Sequence, residues 1–273
     1  MTVNLPKDSL ANVTTMPEGV GAQTSADVLW RTLLQARAGL MSAECAHVPV
    51  YGPLVADGPA NRLVIGQFGQ SLDGRIATPT GESKYLNGSG GLAHLHRIRA
   101  LVDGVVVGAS TVALDDPLLT VRMVQGPNPA RIVIDPNGRV SPKARLFAED
   151  GARRVVVTST TSHVSLPDGV EIIRLDSVDG RLLPMAIVVA LASIGLKQLL
   201  IEGGADTVSR FLQANCLDRL HVSVAPVLMG AGRSGLNLPE CMSLADCLRP
   251  RMDVHRIGDD VLFDCEFERR AQT

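Results

Sequence analysis

The stretch GGLAHLHRIRALVDGVVVGAST, residues 90–111, carries two readable periods one after the other. Leu92, Leu95, Ile98 and Val102 fall near one side of a helix, so the spacing predicts a helix over 90–102. GVVV, residues 104–107, is a continuous apolar run that ends in the small residues Gly108, Ala109 and Ser110. It reads as a strand. A strand with one wet face would alternate in polarity, so an unbroken apolar run suits a sheet covered by helices on both faces.

The same grammar extends outward. Residues 63–68, 131–134 (RIVI), 154–157 (RVVV), 198–201 (QLLI) and 220–224 read as strands, and 182–194 and 205–214 as helices. The closing stretch 261–267 alternates, which suits an antiparallel or edge strand. The expectation is an α/β domain running from Arg62 to the end, 62–273. Ahead of it lies an extension, 1–61, whose first 24 residues are polar. Ser25 is placed to cap a helix reaching Ala38, with Val28, Leu29, Leu33, Leu34 and Ala36 on its apolar face and Gly39 as its stop. Residues 45–61, rich in proline and glycine, read as a linker.

Composition agrees with layered packing. Apolar residues are 45% of the 273 and aromatics only 3%, so the core is built from Val, Leu, Ile and Ala. A formal net charge of −2 supplies no field for nucleic acid or an acidic membrane. Cys45, Cys216, Cys241, Cys247 and Cys265 are scattered, odd in number and without a C-x-x-C pair. They read as reduced thiols, with neither a disulfide framework nor a metal site. The N-terminus shows no apolar signal core, and the apolar run 182–194 contains Pro184 and is shorter than the ~20 residues of a membrane span. A cytoplasmic protein is expected.

Several strand ends carry candidate chemistry. Asp73-Gly74 makes a turn in which the carboxylate can bond backbone. Gly88-Ser89-Gly90-Gly91 opens the 90–102 helix, where free backbone N–H groups suit an anion or a plain cap. Arg99 near the end of that helix is either a cation complementing the helix terminus or a contact to phosphate or carboxylate. His94 and His96, two apart, do not share a face and read as ordinary helix residues. Asp115-Asp116-Pro117 reads as an acidic turn after a strand end, where open α/β sheets bind ligands. Glu202-Gly203-Gly204 ends an apolar strand and opens a helix: the acid needs a partner, and the glycines let a ligand approach the backbone. Gly230 to Gly235 reads as a mobile glycine-rich connection.

In their order and spacing SLDGRIA, GES, the helix end RIRA, VVVGASTV, LDDPLLTVR, RIVID, LLIEGGA and APVLMGAG resemble the reductase domain of the bifunctional riboflavin-pathway deaminase/reductase family. The resemblance covers Arg62 to the end. It implies a dihydrofolate-reductase-like three-layer fold with a mostly parallel central sheet and an antiparallel C-terminal strand. It also implies NADPH as cofactor, a homodimer, and reduction of the ribosyl group of 5-amino-6-(5-phosphoribosylamino)uracil. The positions that match substrate contacts are Ser83, Arg99, Leu119, Arg122 and Glu202, with Glu202 facing the pyrimidine or the reacting carbon. Those matching cofactor contacts are Gly69, Tyr85, Thr111, Asp115, Gly204, Ala205, Asp206 and Thr207. Three features depart from the family. Gln67 stands where bacterial relatives often carry lysine, Pro136 replaces a cofactor-contacting residue, and no H-x-E…P-C-x-x-C deaminase signature occurs. Arg153 and Arg154 read either as contacts to a cofactor 2′-phosphate or as solvated residues before a strand. Two other functions share the pattern: a pterin or dihydrofolate reductase of the same fold, and a non-catalytic NADPH-binding regulatory protein.

Overall fold

The computed structural model describes residues 14–15, 20–40, 45, 47–56 and 62–268. In chain order the elements are β1 (Thr14–Thr15), α1 (Val20–Arg37), α2 (Gly52–Val55), β2 (Leu63–Ser71), β3 (Arg75–Ala77), α3 (Ser89–Leu101), β4 (Gly104–Gly108) and α4 (Ala109–Asp115). There follow β5 (Ala130–Ile134), β6 (Arg154–Ser159), β7 (Glu171–Leu175), β8 (Ser177–Val178), β9 (Arg181–Leu182), α5 (Pro184–Ser193) and β10 (Gln198–Glu202). The chain then forms α6 (Ala205–Gln213), β11 (Arg219–Ala225), β12 (Arg233–Ser234), β13 (Arg251–Ile257) and β14 (Asp260–Glu266).

Ten strands make one sheet in the order β1-β13-β14-β11-β2-β10-β4-β5-β6-β7. From β11 to β7 every neighbouring pair is parallel, while β14 runs antiparallel to both β11 and β13. This is the expected mostly parallel sheet with an antiparallel edge. Two apolar layers sandwich it. Ile65, Val105, Val107, Val133, Val156 and Leu200 point into the layer shared with α1, α2 and α3. Val64, Val106, Ile132, Val155, Leu199 and Ile201 point into the layer shared with α5 and α6. Strand residues alternate sides, so a run such as Val105-Val106-Val107 must be apolar throughout. Each fully buried Val, Leu or Ile contributes up to about 1.5–3 kcal/mol.

Several expectations change. The first helix starts at Val20 rather than near Ser25, and Val28 and Leu29 are exposed while Leu33 and Ala36 carry its buried face. Within the expected linker 45–61, Cys45, Val50, Tyr51, Leu54 and Val55 are buried in the α3-side layer. The apolar content of that stretch outweighs its turn residues. Of the expected acidic turn Asp115-Asp116-Pro117, Asp115 closes α4 and Asp116 caps it in a left-handed conformation. Leu182 sits in β9, and α5 starts at Pro184, whose fixed φ suits the first helical turn. Strands β7 and β13 lie at or near the sheet's edges and bear exposed charged residues, so their sequences resemble loops. The segment 229–235 is pinned: the Met229 and Gly230 N–H groups donate to Asp73 at 3.0 and 2.6 Å, and Arg233–Ser234 pairs with β3. The same bonds and the Ser71 hydroxyl hold the Asp73 carboxyl far below the ordinary carboxylate range, with Ser71 the largest cause.

Candidate active site

Alternation along β2 decides which side chains meet. A Cβ on Gly66 would strike Leu217 and Leu220 at 2.9 Å, so Gly66 faces α6. Gln67 and Gly69 therefore do not share the faces of Gly66 and Phe68. Gly69 looks toward the N-terminal end of α3, where a Cβ would lie 1.6 Å from Asn87 Oδ1. Register places Glu202 of β10 on one side of Gln67 and His221 of β11 on the other, with Asp264 of β14 beside His221. The result is a polar row, Glu202–Gln67–His221–Asp264, crossing the sheet beneath α3.

Helix α3 holds both ends of that row. Arg99 Nε donates to Glu202 Oε2 at 2.9 Å, a second guanidinium nitrogen donates to Glu202 Oε1, and a third donates to the Thr120 carbonyl at 3.0 Å. This bidentate geometry answers the need of an acid at the end of a buried strand. Near Thr120, Leu119 takes a left-handed φ of 54° and buries its side chain in the core. The Arg122 backbone N–H donates to His96 Nδ1 at 3.1 Å. Burial, then the charges of Arg99 and Arg122, push His96 down to about 4, which keeps Nδ1 free to accept. The Arg122 side chain is exposed, and burial followed by the Arg99 charge lowers its pKa, with Arg145 adding to the effect. Arg99 and Arg122 thus bring positive charge to one carboxylate, with Arg145 adding charge near Arg122.

At the other end, Tyr51 Oη lies 3.0 Å from His94 Nδ1, His94 Nε2 lies 3.2 Å from His221 Nδ1, and His221 Nε2 lies 3.1 Å from Asp264 Oδ1. Arg219 donates to Asp264 twice, at 2.8 and 3.0 Å. Burial drives His94 well below its ordinary pKa, so it is neutral, with one nitrogen to donate and one to accept. Burial alone would raise the Asp264 carboxyl; its contacts with His221 and Arg219 outweigh that and hold it low. His94, read from sequence as an ordinary helix residue, is a core group that ties Tyr51 to His221 of the sheet.

Two crevices open at the carboxyl ends of the strands, where open α/β sheets bind ligands. One, of about 220 Å³, is lined by Gln67, Gly69, Ser83, Asn87, Leu92, Leu95, Asp115, Glu202 and Gly203 to Ala205. The other, of about 240 Å³, is lined by Ser110, Thr111, Pro136, Arg139, Arg181, Gly204, Asp206, Thr207 and Arg210. Gly204 belongs to both, so they meet over the start of α6. Gly203 there has φ 87°, and a Cβ would press Thr111 at 3.0 Å, so glycine is required.

Most of the sequence-derived positions converge on these crevices. Gly69, Ser83, Asp115, Glu202, Gly204 and Ala205 line the first, and Thr111, Gly204, Asp206 and Thr207 the second. Arg99 is brought to the site through Glu202, but its guanidinium is largely committed to that carboxylate and to Thr120. Leu119 offers only its backbone. Tyr85 lines neither crevice: it is 87% exposed with φ 62°. The glycine-rich start of α3 already faces an anion, because Asp260 Oδ2 accepts from the Gly88 N–H at 3.0 Å. Arg153 pairs with Glu171 through two bonds of 2.8 and 2.7 Å, and Arg154 donates to the Phe147 and Asp168 carbonyls. Both lie at the amino end of β6, opposite the crevices. The cations that do line the second crevice, Arg139, Arg181 and Arg210, come from loops, a hairpin and a helix with no shared sequence pattern.

Comparison with known proteins adds three findings. Residues 62–258 match the family model described as the RibD C-terminal domain. The chain is 31% identical over 201 residues to the riboflavin biosynthesis protein RibD of Aquifex aeolicus, covering 72% of this chain and 55% of that protein. It therefore spans little more than half the length of that relative. It is 28% identical to the 2,5-diamino-6-ribosylamino-4(3H)-pyrimidinone 5′-phosphate reductase of Methanothermobacter thermautotrophicus, covering 74% of this chain and 96% of that protein. Among solved structures it is similar to a diaminohydroxyphosphoribosylaminopyrimidine deaminase/5-amino-6-(5-phosphoribosylamino)uracil reductase of Thermotoga maritima. The TM-score is 0.65 at 26% identity, covering 79% of this chain and 59% of that one.

Proposed function

This chain belongs to the RibD C-terminal domain family, and we propose that it reduces a phosphorylated ribosylaminopyrimidine, 5-amino-6-(5-phosphoribosylamino)uracil, with NADPH. The observation that carries this reading is the meeting of the two crevices at Gly204. An extended dinucleotide laid in the second crevice would deliver its nicotinamide to the first, where Glu202 and Gln67 form part of the wall.

The residues fit such a cofactor. Gly203 and Gly204 leave the backbone open at the start of α6, Thr111 and Thr207 offer hydroxyls, and Arg139 and Arg181 are exposed and make no ion pair among the described residues. Guanidinium groups suit a 2′-phosphate, which supports NADPH over NADH. When bound, the cofactor supplies a hydride to C1′ of the ring-opened imine, whose nitrogen takes up one proton. The chain supplies position and charge. Glu202, fixed by Arg99, would place a carboxylate where it can stabilise the protonated C=N unit that accepts the hydride. The exposed Arg122, whose charge interacts with Glu202, suits the substrate's phosphate.

The archaeal relative's name supports a second substrate, the 2-amino-4-oxo pyrimidine. The test is oxidation of NADPH by the purified chain with each pyrimidine and with dihydrofolate. Turnover of a phosphoribosylaminopyrimidine is expected. Binding of NADPH without turnover of either pyrimidine would overturn the substrate assignment. Exposed Leu228, Met242 and Leu244 support pairing of two copies as a homodimer. No helix among the described residues is long and apolar enough to cross a membrane, consistent with a cytoplasmic setting.

A further inference from the structure

A cavity of about 580 Å³, more than twice the volume of either crevice, opens between α1, the 48–51 segment, α3 and the loop 123–125. It is too large for a packing gap and falls in the range of small-molecule sites, about 300–1,000 Å³. The chain's single tryptophan, Trp30, and one of its two tyrosines, Tyr51, form its aromatic wall. Their rings meet edge to face, with centres 6.1 Å apart and planes at 72°, and so make a corner. Val50, just before Tyr51, holds a left-handed φ of 68°. That conformation costs a β-branched residue about 1–3 kcal/mol, and such strain clusters at functional sites. Arg31 and Arg97 also line the cavity, Arg97 lying 5.9 Å from the centre of the Tyr51 ring. Neither makes an ion pair among the described residues, and Asp27 is the one carboxylate in the lining.

We propose that this cavity is an effector site for a planar aromatic ring bearing one anionic group, with the ring against Trp30 and the anion on Arg97 and Arg31. Aromatic walls favour a flat ring, and guanidinium groups pair with phosphate or carboxylate. With two cations against one carboxylate, a cationic ligand is disfavoured. Trp30, Arg31 and Tyr51 precede residue 62, so the matched residues 62–258 do not build this cavity by themselves. The cavity also adjoins the reaction site. Trp30 Nε1 donates to the Gln125 carbonyl at 2.8 Å, in the loop that continues from Arg122. The Arg122 N–H is held in turn by His96, the neighbour of Arg97 on α3. A ligand touching Met123 to Gln125 therefore biases the loop that carries Arg122, and with it the grip on a phosphorylated substrate. That coupling rests on the reductase reading, whereas the binding does not.

The probe is flavin mononucleotide, a flat ring with one phosphate; riboflavin offers the ring alone and inorganic phosphate the anion alone. Each is titrated into the full chain with saturating NADP+ present to fill the crevices. Flavin mononucleotide should bind with a Kd below about 1 mM and lose flavin emission on contact with the indole of Trp30. Riboflavin should bind more weakly, and phosphate not measurably. Arg97→Gln should weaken flavin mononucleotide about 10- to 100-fold, as for a lost charge-assisted hydrogen bond, and leave riboflavin unchanged. Trp30→Leu should weaken both and abolish the emission loss. If Arg97→Gln fails to fold, Arg31→Gln, at an exposed position, tests the same charge. In wild type, bound flavin mononucleotide should shift the pyrimidine's KM by about 5-fold or more, followed by product formation, and Trp30→Leu should remove the shift. A Kd above about 1 mM, or affinity that survives the Trp30 and arginine variants, overturns the site. Binding that leaves KM unmoved overturns the effector role. Absence of turnover with either pyrimidine overturns the reductase reading and the effector role with it, while flavin binding that obeys the variants upholds the site.

Discussion

Arg99 grips Glu202 through two nitrogens of one guanidinium, reaching from α3 to the end of β10, while a third nitrogen holds the Thr120 carbonyl. One side chain thus fixes the carboxylate at the crevice and the loop that carries Leu119 and Arg122. Glu202→Gln keeps the shape but removes the charge, so turnover of the pyrimidine should fall by about 100-fold or more with NADPH affinity preserved. An unchanged kcat would remove Glu202 from the reaction. Arg99→Ala strands a carboxylate that is largely buried, with an expected destabilisation of about 3–5 kcal/mol by chemical denaturation. Arg99→Lys, a point charge unable to span both oxygens, should recover only part of that.

Cofactor choice should follow Arg139 and Arg181. The double variant Arg139→Ala/Arg181→Ala should weaken NADPH binding by about 10- to 100-fold while leaving NADH unaffected, as expected for loss of charge-assisted bonds to one phosphate. Calorimetric titration with both dinucleotides measures it. Arg153→Ala, at the far end of the sheet and paired with Glu171, should change neither affinity.

Gly69→Ala puts a methyl group 1.6 Å from Asn87 Oδ1. Asn87 donates to the Ser223 carbonyl at 3.1 Å, so its displacement breaks a link between the α3 approach and β11. Overpacking of this kind costs about 1–3 kcal/mol. Thermal unfolding should show the loss, and Gly69→Ala/Asn87→Ala should regain part of it. A melting temperature equal to wild type for Gly69→Ala would contradict the packing described above.

Acid should destabilise the fold in a defined window. His96 titrates near 4 in the folded protein against an ordinary 6.5, chiefly through burial, and His94 is shifted in the same direction. Between about pH 6.5 and 4 the unfolded chain binds protons that the native one refuses. Stability therefore falls as pH drops, by about 1.4 kcal/mol per pH unit for each such group. Asp264, whose folded pKa is lowered, adds a loss at still lower pH, as it is protonated. His96→Asn retains an acceptor for the Arg122 N–H but cannot titrate. Denaturant unfolding across pH 4–7 should show a shallower slope in that variant, and an identical slope would exclude His96 as a source.

Much of the architecture was legible because buried parallel strands have no alternative composition. GVVV, RIVI, RVVV and QLLI each had to satisfy apolar layers on both faces, and each became a strand. Glu202 was legible for the complementary reason, since an acid ending such a strand must have a partner. The edge strands β7 and β13 were not, because water on one side permits charges that also suit loops. Tyr51, Leu54 and Val55 were hidden by prolines and glycines around them, although their side chains complete the core.

The sequence alone determined the sheet, its two-sided burial, and the set of strand ends where ligands gather, because these follow from local periodicity and short-range turn chemistry. Pairing in space belonged to the tertiary structure. Arg99 and Glu202 lie 103 positions apart, and no spacing rule joins them. Strand register also decided that Gln67 stands between Glu202 and His221, and loop and hairpin placement put Arg139 and Arg181, rather than Arg153 and Arg154, at the second crevice. Such meetings depend on which strands become neighbours and on which face of each strand a residue falls. They are set only when the whole sheet closes its hydrogen bonds.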